Sequence, residues 1–147
     1  PTPLSDIRVL ISAQDVAARV KGLAQDIAKD FTDDLMIVSL LRGSFVFTSD
    51  LIRALHNEKK QPQVDFMTLA SYGRGTTTSG EVQLVRDLTE PVEGRDVLIV
   101  DDILESGNTL TYARNLIQSR KARSVKIAVL LEKPGKRKLP ISADYIG

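Results

Sequence analysis

Short apolar segments alternate along this chain with longer stretches whose apolar residues recur at helical spacing. Five segments have strand character, at residues 35–41, 64–70, 81–86, 97–100 and 125–131. The run from Val97 to Val100 is apolar throughout and lacks alternation, which is typical of a strand buried on both faces of a sheet. Helical spacing runs from Val16 to Phe31, from Phe45 to Leu55 and onward from Leu110. This order predicts an α/β fold, a mostly parallel sheet flanked by helices.

The length and charge of the chain limit its organisation and its partners. The 147 residues suffice for one core, so we expect residues 1–147 to form a single domain. A net charge of +1 gives no basis for binding nucleic acid or a membrane, and no apolar run approaches the ~20 residues that span a bilayer. The absence of cysteine excludes disulfides and thiolate metal sites and is compatible with a cytosol. We therefore expect a cytoplasmic protein whose partners include neither nucleic acid nor a membrane.

The segment from Val97 to Leu110 places polar chemistry where a buried strand gives way to a helix. Four small polar residues precede the helical pattern: Ser106, Gly107, Asn108 and Thr109. Ligands of open α/β sheets lie outside the carboxyl ends of the strands. The amides and the positive dipole end of a helix start favour a phosphate, and Gly107 allows the backbone to approach it closely. The pattern therefore predicts a phosphate site.

Carboxylates in the same segment require another use, because they would repel a phosphate. Asp101 and Asp102 directly follow the apolar run, and Glu105 comes three residues later. Adjacent carboxylates suit ribose hydroxyls or a Mg²⁺ ion bound through water. The alternative is a solvated acidic turn with Ser106 as an ordinary helix cap. The position after a fully apolar strand favours the binding site.

Taken together, these residues resemble the phosphoribosyl-diphosphate motif of the type I phosphoribosyltransferases. More narrowly, they resemble the hypoxanthine (hypoxanthine-guanine) phosphoribosyltransferases, over a stretch from about Leu35 to Gly147. The resemblance implies the type I fold, with a mobile hairpin lid over the carboxyl edge of the sheet. It also implies that Ser106 to Thr109 hold the 5-phosphate, while Asp101 and Asp102 hold the ribose hydroxyls and Mg²⁺.

A second strand-to-helix turn, Leu41-Arg42-Gly43-Ser44, contains a cation, a glycine and a hydroxyl. It is a candidate anion site, although such a turn is also compatible with an ordinary connection. The resemblance implies that Arg42 and Gly43 bind pyrophosphate, and that the Leu41–Arg42 peptide bond can be cis.

Residues 71–80 form a third candidate segment, rich in glycine and hydroxyl side chains. Its composition is too polar to pack, so it predicts a mobile loop between two strands, and a plain flexible hairpin stays open as an alternative. The resemblance implies that this loop, beginning with Ser71 and Tyr72, closes over the reaction centre and excludes water.

Two further residues acquire roles through the resemblance. Lys133 lies at the end of a predicted strand and matches the lysine that hydrogen-bonds the 6-oxo group of the purine. Glu105 matches the residue next to N7 of the base, where the family usually carries aspartate, and is expected to exchange a proton there. Both assignments rest on the match of the motif.

The C-terminal end departs from the family pattern. Residues 143–147 predict the start of another strand, after which the family continues with a base-stacking aromatic residue, a metal-binding aspartate and a basic residue. This hood segment therefore appears incomplete in the 147 residues.

The expected activity is purine salvage. Phosphoribose from 5-phosphoribosyl 1-diphosphate would pass to N9 of hypoxanthine, and also of guanine, with Mg²⁺ as cofactor. Alternatives are a regulatory protein that binds the sugar diphosphate, or an enzyme for another base such as xanthine, orotate or adenine. The resemblance also implies a homodimer or homotetramer.

Overall fold

A six-stranded sheet lies at the centre of the computed structural model, which describes residues 12–31, 34–72, 81–104, 107–132 and 141–147. Its strands are β1 Met36–Leu41, β2 Gln63–Tyr72, β3 Glu81–Arg86, β4 Asp96–Leu104, β5 Ser124–Glu132 and β6 Tyr145–Ile146. The strand order is β3-β2-β1-β4-β5-β6, and only the β2–β3 pair among these is antiparallel. The mostly parallel α/β fold predicted from the sequence is confirmed.

Three helices among the described residues cover the two faces of the sheet. They are α1 Ala13–Asp30, α2 Phe45–Asn57 and α3 Asn108–Ser119. Ser12 is the N-cap residue of α1, because its side chain accepts a hydrogen bond from the Asp15 amide at 3.1 Å. Within this part of the chain, none of the helices has the length and apolar character needed to cross a bilayer.

The central strand β4 is buried on both faces, as its unbroken apolar run predicts. Leu98 and Val100 pack in a cluster with α1 and α2, while Val97 and Ile99 pack in a second cluster with α3. All four side chains are fully buried. Alternation along the strand therefore sends successive side chains into two separate cores.

The β4 strand extends further than the sequence analysis predicts. We expected the strand to end at Val100 and an acidic turn to follow, but the strand continues to Leu104. The extension pairs with β5, with Asp101 beside Val129 and Leu104 beside Glu132. The carboxylates consequently project from a paired strand, whose backbone orientation is fixed by the neighbouring strand.

A buried carboxylate holds the connection between β3 and β4. Asp65 on β2 is 6% exposed, and its carboxylate accepts hydrogen bonds from the amides of Phe66 at 2.8 Å, Thr89 at 2.8 Å and Glu90 at 2.9 Å. These bonds satisfy a charge that would otherwise be costly to bury. The turn that feeds β4 is thus fixed to β2.

The C-terminal strand predicted at residues 143–147 is present as β6. It pairs in parallel with β5, with Tyr145 beside Ala128. Asp144 makes two hydrogen bonds with the backbone of Ile127. The Asp144 amide donates to the Ile127 carbonyl at 2.8 Å, and the Ile127 amide donates to the Asp144 carboxylate at 2.9 Å.

Candidate active site

The strand order places two predicted binding segments beside each other. From β1 the chain crosses to β2 on one side, and from β4 it crosses to β5 on the other, so the direction of winding changes between β1 and β4. These two strands are parallel neighbours, with Ser39 beside Val100. Their carboxyl ends meet at one edge, which is where open α/β sheets form a ligand crevice.

Gly43 and Asp102 approach each other closely across this crevice. A Cβ atom built on Gly43 would lie 2.6 Å from Oδ2 of Asp102 and 3.1 Å from its Cγ. Any larger residue at position 43 would have to displace the carboxylate or the loop. The structure therefore brings the predicted pyrophosphate loop into contact with the predicted metal and ribose site.

The two adjacent carboxylates are partly buried and each is oriented by a backbone amide. Oδ1 of Asp101 accepts from the Asp102 amide at 2.9 Å, and Oδ1 of Asp102 accepts from the Ile103 amide at 2.8 Å. Burial raises the pKa of Asp101 to about 7, and the nearby Asp102 carboxylate adds to this rise while the Asp102 amide opposes it. A cation placed here would favour the ionised form of Asp101.

The donor set of this pair fits Mg²⁺. No cluster of three or more His, Cys, Asp or Glu side chains suited to a metal ion occurs within the described ranges. Mg²⁺ keeps several waters and is typically held by one or two carboxylates together with substrate phosphates. Two neighbouring carboxylates close in sequence to the predicted phosphate-binding segment match that requirement.

The helix α3 begins at the same edge of the sheet. Gly107 is its N-cap residue, is buried, and has φ of 87°, a left-handed conformation that glycine adopts without steric cost. The carbonyl of Gly107 accepts the amide of Thr111 at 2.9 Å, which closes the first turn. Asn108 and Thr109 lie in that turn and are partly buried. A helix therefore begins at the place where the sequence predicts a phosphate site, and its role in binding phosphate stays a prediction.

The β1–α2 turn has the shape that the sequence predicts, with one difference. The Leu41–Arg42 peptide bond is cis, as the resemblance implied, and Arg42 and Gly43 are exposed. Ser44 was expected to offer a hydroxyl to an anion, but it is fully buried and its hydroxyl donates to the Leu40 carbonyl. The hydroxyl of Ser44 therefore belongs to the protein interior.

Comparison with known proteins assigns the family. A family described as phosphoribosyl transferase domain matches residues 10–147. The hypoxanthine-guanine phosphoribosyltransferase of Bacillus subtilis is 41% identical over 141 residues, which cover 95% of this chain and 77% of that protein. The chain belongs to the hypoxanthine phosphoribosyltransferase family. The family match begins at residue 10, further towards the N-terminus than the resemblance seen from the motifs, which began at about Leu35.

A solved structure and a longer relative agree with the family assignment. A hypoxanthine phosphoribosyltransferase from Staphylococcus aureus has a TM-score of 0.88 and 42% identity, covering 95% of this chain and 75% of that one. The bifunctional protein TilS/HprT of Listeria innocua is 41% identical over 141 residues, and the chain spans 21% of its length. The phosphoribosyltransferase fold predicted from the sequence is thus confirmed by a family member of known structure.

Some residues of the predicted site lie outside the described residues. They are Glu105, Ser106, Lys133 and the loop residues 73–80. The backbone of Ser71 and Tyr72 lies at the end of β2, where it pairs with Val82 and Glu81 of β3. The hairpin predicted on both sides of the loop is therefore confirmed by its two arms.

Sequence reasoning missed a group of buried hydroxyls behind the Arg42–Gly43 loop. Ser39 on β1 and Thr48 on α2 are 0% and 2% exposed, and their hydroxyl oxygens lie 2.7 Å apart. A second contact of 2.7 Å joins the hydroxyls of Ser39 and Ser44. The sequence does contain a signal for this group, because Ser39 interrupts an apolar strand and Thr48 lies on the apolar side of a helix.

Proposed function

We propose that this chain catalyses purine salvage by transferring phosphoribose from 5-phosphoribosyl 1-diphosphate to N9 of hypoxanthine, and also of guanine. The products are inosine or guanosine monophosphate and pyrophosphate. The observation that carries the proposal is the family match over 95% of the chain, combined with the contact between Gly43 and Asp102 at the carboxyl edge of β1 and β4. A salvage reaction of this kind would take place in the cytoplasm.

The proposed binding of the sugar diphosphate uses the elements that meet at this edge. Ser106, Gly107, Asn108 and Thr109 bind the 5-phosphate, through amides of the α3 N-terminus and hydroxyl donors. Asp101 and Asp102 accept hydrogen bonds from the ribose hydroxyls. The exposed Arg42 and Gly43 bind the pyrophosphate group. The narrow gap between Gly43 and Asp102 supports this division, because both ends of the sugar diphosphate would lie beside it.

The proposed cofactor is Mg²⁺, held by Asp101 and Asp102. The ion would offset the negative charge of the diphosphate as it departs. The hydrogen bond that each carboxylate accepts from the next backbone amide fixes its orientation, which supports this assignment.

The base is proposed to be recognised and activated by two residues at strand ends. Lys133 donates a hydrogen bond to the 6-oxo group, which selects 6-oxopurines over adenine because an ammonium group has no acceptor. Glu105 exchanges a proton with N7 as N9 attacks the ribose. The loop that begins with Ser71 and Tyr72 closes over the reacting atoms and excludes water.

A second copy of the chain is proposed as partner, in a homodimer or homotetramer. Phe45 and Val46 at the start of α2 are 64% and 65% exposed, and Phe66 on β2 is 37% exposed. Met67 packs in the cluster with α3, so its neighbour Phe66 lies on the opposite face of the sheet, which is the face of α2. We propose that a second copy covers these exposed apolar side chains.

A panel of nucleobases tests the proposed activity. Pyrophosphate release from 5-phosphoribosyl 1-diphosphate would be measured with hypoxanthine, guanine, xanthine, adenine and orotate in the presence of Mg²⁺. Rapid release with hypoxanthine and guanine, and slow release with adenine and orotate, is the expected result. Binding of the sugar diphosphate without turnover of any base would instead indicate a regulatory protein, which a gel-shift assay with nucleic acid would examine.

A further inference from the structure

The hydroxyls of Ser39, Ser44 and Thr48 form a buried network directly beneath the exposed Arg42–Gly43 loop. All three side chains are at most 2% exposed. Ser39 lies near the end of β1, Ser44 immediately precedes α2, and Thr48 lies one turn into that helix. The network therefore joins the strand that enters the loop to the helix that leaves it.

Counting protons fixes the direction of every hydrogen bond in the network. Each hydroxyl carries one proton to donate. The proton of Ser44 goes to the Leu40 carbonyl, so the contact between Ser39 and Ser44 must use the proton of Ser39. The contact between Thr48 and Ser39 must then use the proton of Thr48. The chain of donation runs from Thr48 to Ser39, then to Ser44, and ends at the backbone of β1.

The orientation of Ser44 departs from the usual behaviour of a serine before a helix. Such a serine commonly accepts a hydrogen bond from an amide of the first turn. Within the described part of the chain, Ser44 makes no side-chain cap, and its backbone lies in the right-handed helical region at φ −77° and ψ −2°. Its hydroxyl instead turns inward and ties the end of the loop to Leu40. The loop is thereby closed at both ends, with the amide of Phe45 donating to the Arg42 carbonyl at 3.1 Å.

We propose that Ser39 and Thr48 are positioning residues that hold the Arg42–Gly43 loop in the geometry required to bind pyrophosphate. The inference rests on the proposed function, since it concerns the segment that would bind the diphosphate. Neither residue reaches the ligand, because both side chains are buried behind the loop. They act through Ser44, whose position sets the backbone of Gly43 against Asp102. A loop that is held in its bound shape loses less freedom on binding.

The direction of the network allows a substitution that removes one bond without leaving a buried donor unsatisfied. Thr48→Val keeps the branched shape and removes the first donor, while Ser39 still donates to Ser44. Ser39→Ala interrupts the middle of the chain, so Ser44 loses its donor and Thr48 loses its acceptor. Thr48→Ser retains the hydroxyl and serves as the conservative variant. Ser49→Ala, which removes a neighbouring hydroxyl outside the network, is the matched control.

The test compares the KM values of the two substrates in each direction of the reaction. In the forward direction, the KM for the sugar diphosphate is measured beside the KM for hypoxanthine; in the reverse direction, the KM for pyrophosphate is measured beside that for inosine monophosphate. We expect Ser39→Ala to raise the KM for the sugar diphosphate and for pyrophosphate about fivefold to tenfold, and Thr48→Val about threefold. The KM values for hypoxanthine and inosine monophosphate stay within twofold, and Thr48→Ser and Ser49→Ala behave like the parent.

Unchanged KM values for pyrophosphate in Thr48→Val and Ser39→Ala would overturn the inference. So would equal increases for both substrates of a pair, since a general loss of structure would produce that pattern. The Thr48→Val and Thr48→Ser pair decides the question where Ser39→Ala fails to fold. A parent protein that forms no nucleotide would overturn the proposed function, which is a different result from an active parent whose variants are unaltered.

Discussion

Gly43 lies so close to Asp102 that a methyl group on it would come within 2.6 Å of the carboxylate oxygen Oδ2. This contact joins the loop after β1 to the end of β4. It ties the predicted pyrophosphate segment to the predicted metal and ribose segment, so a change on one side must alter the other.

Gly43→Ala should therefore impair binding of the sugar diphosphate while leaving the fold in place. The added Cβ must displace either Asp102 or the loop, and a misplacement of about 1 Å costs on the order of 10²-fold in rate. We expect kcat/KM for the sugar diphosphate to fall by about that factor, measured by pyrophosphate release with hypoxanthine in excess.

Gly22→Ala is the matched control for this substitution. Gly22 lies within α1, and apart from its chain neighbours and the backbone of its own helix, no described heavy atom lies within 4 Å of the Cβ that alanine would add. Alanine in a helix interior stabilises by about 0.5–1 kcal/mol over glycine, so the control should unfold at a slightly higher temperature and keep full activity. Equal activity of Gly43→Ala and Gly22→Ala would contradict the proposed role of the Gly43–Asp102 contact.

The raised pKa of Asp101 predicts a specific dependence of stability on pH. Because the pKa is about 7 in the folded protein and near 3.8 when unfolded, the folded state binds more protons between these values. The free energy of unfolding should therefore fall as the pH rises from 4 to 7 and level off above, with Asp101 contributing roughly 2–4 kcal/mol.

Asp101→Asn should remove this contribution, since asparagine does not ionise and can still accept the Asp102 amide. Urea unfolding in the presence of a chelator at pH 5 and pH 8 would measure it. The free energy of unfolding of the variant minus that of the parent should be larger at pH 8 than at pH 5. A difference between parent and variant that is the same at both pH values would show that Asp101 does not titrate in this range.

The network around Asp65 predicts a loss of stability without a loss of catalytic chemistry. Asp65→Asn places an amide group against the backbone donors of Thr89 and Glu90 and removes charge-assisted hydrogen bonds worth about 1.5–3 kcal/mol each. We expect the free energy of unfolding to fall by about 2–4 kcal/mol, with specific activity of the folded protein at 25 °C within twofold.

Asp50→Asn provides the surface control for that measurement. Asp50 pairs with Arg53 at 3.7 Å, and both side chains are well exposed, at 47% and 79%. The control should change the free energy of unfolding by no more than about 0.5 kcal/mol. If Asp65→Asn lowered the free energy of unfolding no more than Asp50→Asn does, the carboxylate of Asp65 would not be what fixes the turn before β4.

The exposed apolar surface at the start of α2 predicts self-association. Val46→Asp introduces a charge where a second copy would pack, so the variant should show a lower mass by light scattering than the parent at the same concentration. Ile146 is an exposed apolar residue on β6, the strand at one edge of the sheet. The control variant Ile146→Asp should keep the parental mass. A parent protein that is monomeric at high concentration would contradict a homodimer or homotetramer.

The parts of the fold that the sequence predicted are those with a strong local signal. The apolar run from Val97 to Val100 predicted a strand buried on both faces, and the structure confirms it. The bounds of β3 at Glu81–Arg86 also agree with the prediction. Both cases depend on spacing between neighbouring residues, which the sequence displays directly.

The parts that sequence reasoning missed depend on contacts between distant residues. The extension of β4 from Asp101 to Leu104 is stabilised by pairing with β5, and no local pattern marks two aspartates as strand residues. The inward orientation of Ser44 depends on Ser39, which itself lies within an apolar strand. In both cases the partner, and not the residue type, decides the structure.

The most direct test of the account is formation of inosine monophosphate from hypoxanthine and 5-phosphoribosyl 1-diphosphate in the presence of Mg²⁺. The parent protein and the double variant Asp101→Asn/Asp102→Asn would be compared after both are shown to be folded. The account predicts Mg²⁺-dependent nucleotide formation by the parent and a loss of at least 10²-fold in kcat/KM for the double variant. No nucleotide from the parent, or parental rates from the double variant, would contradict it.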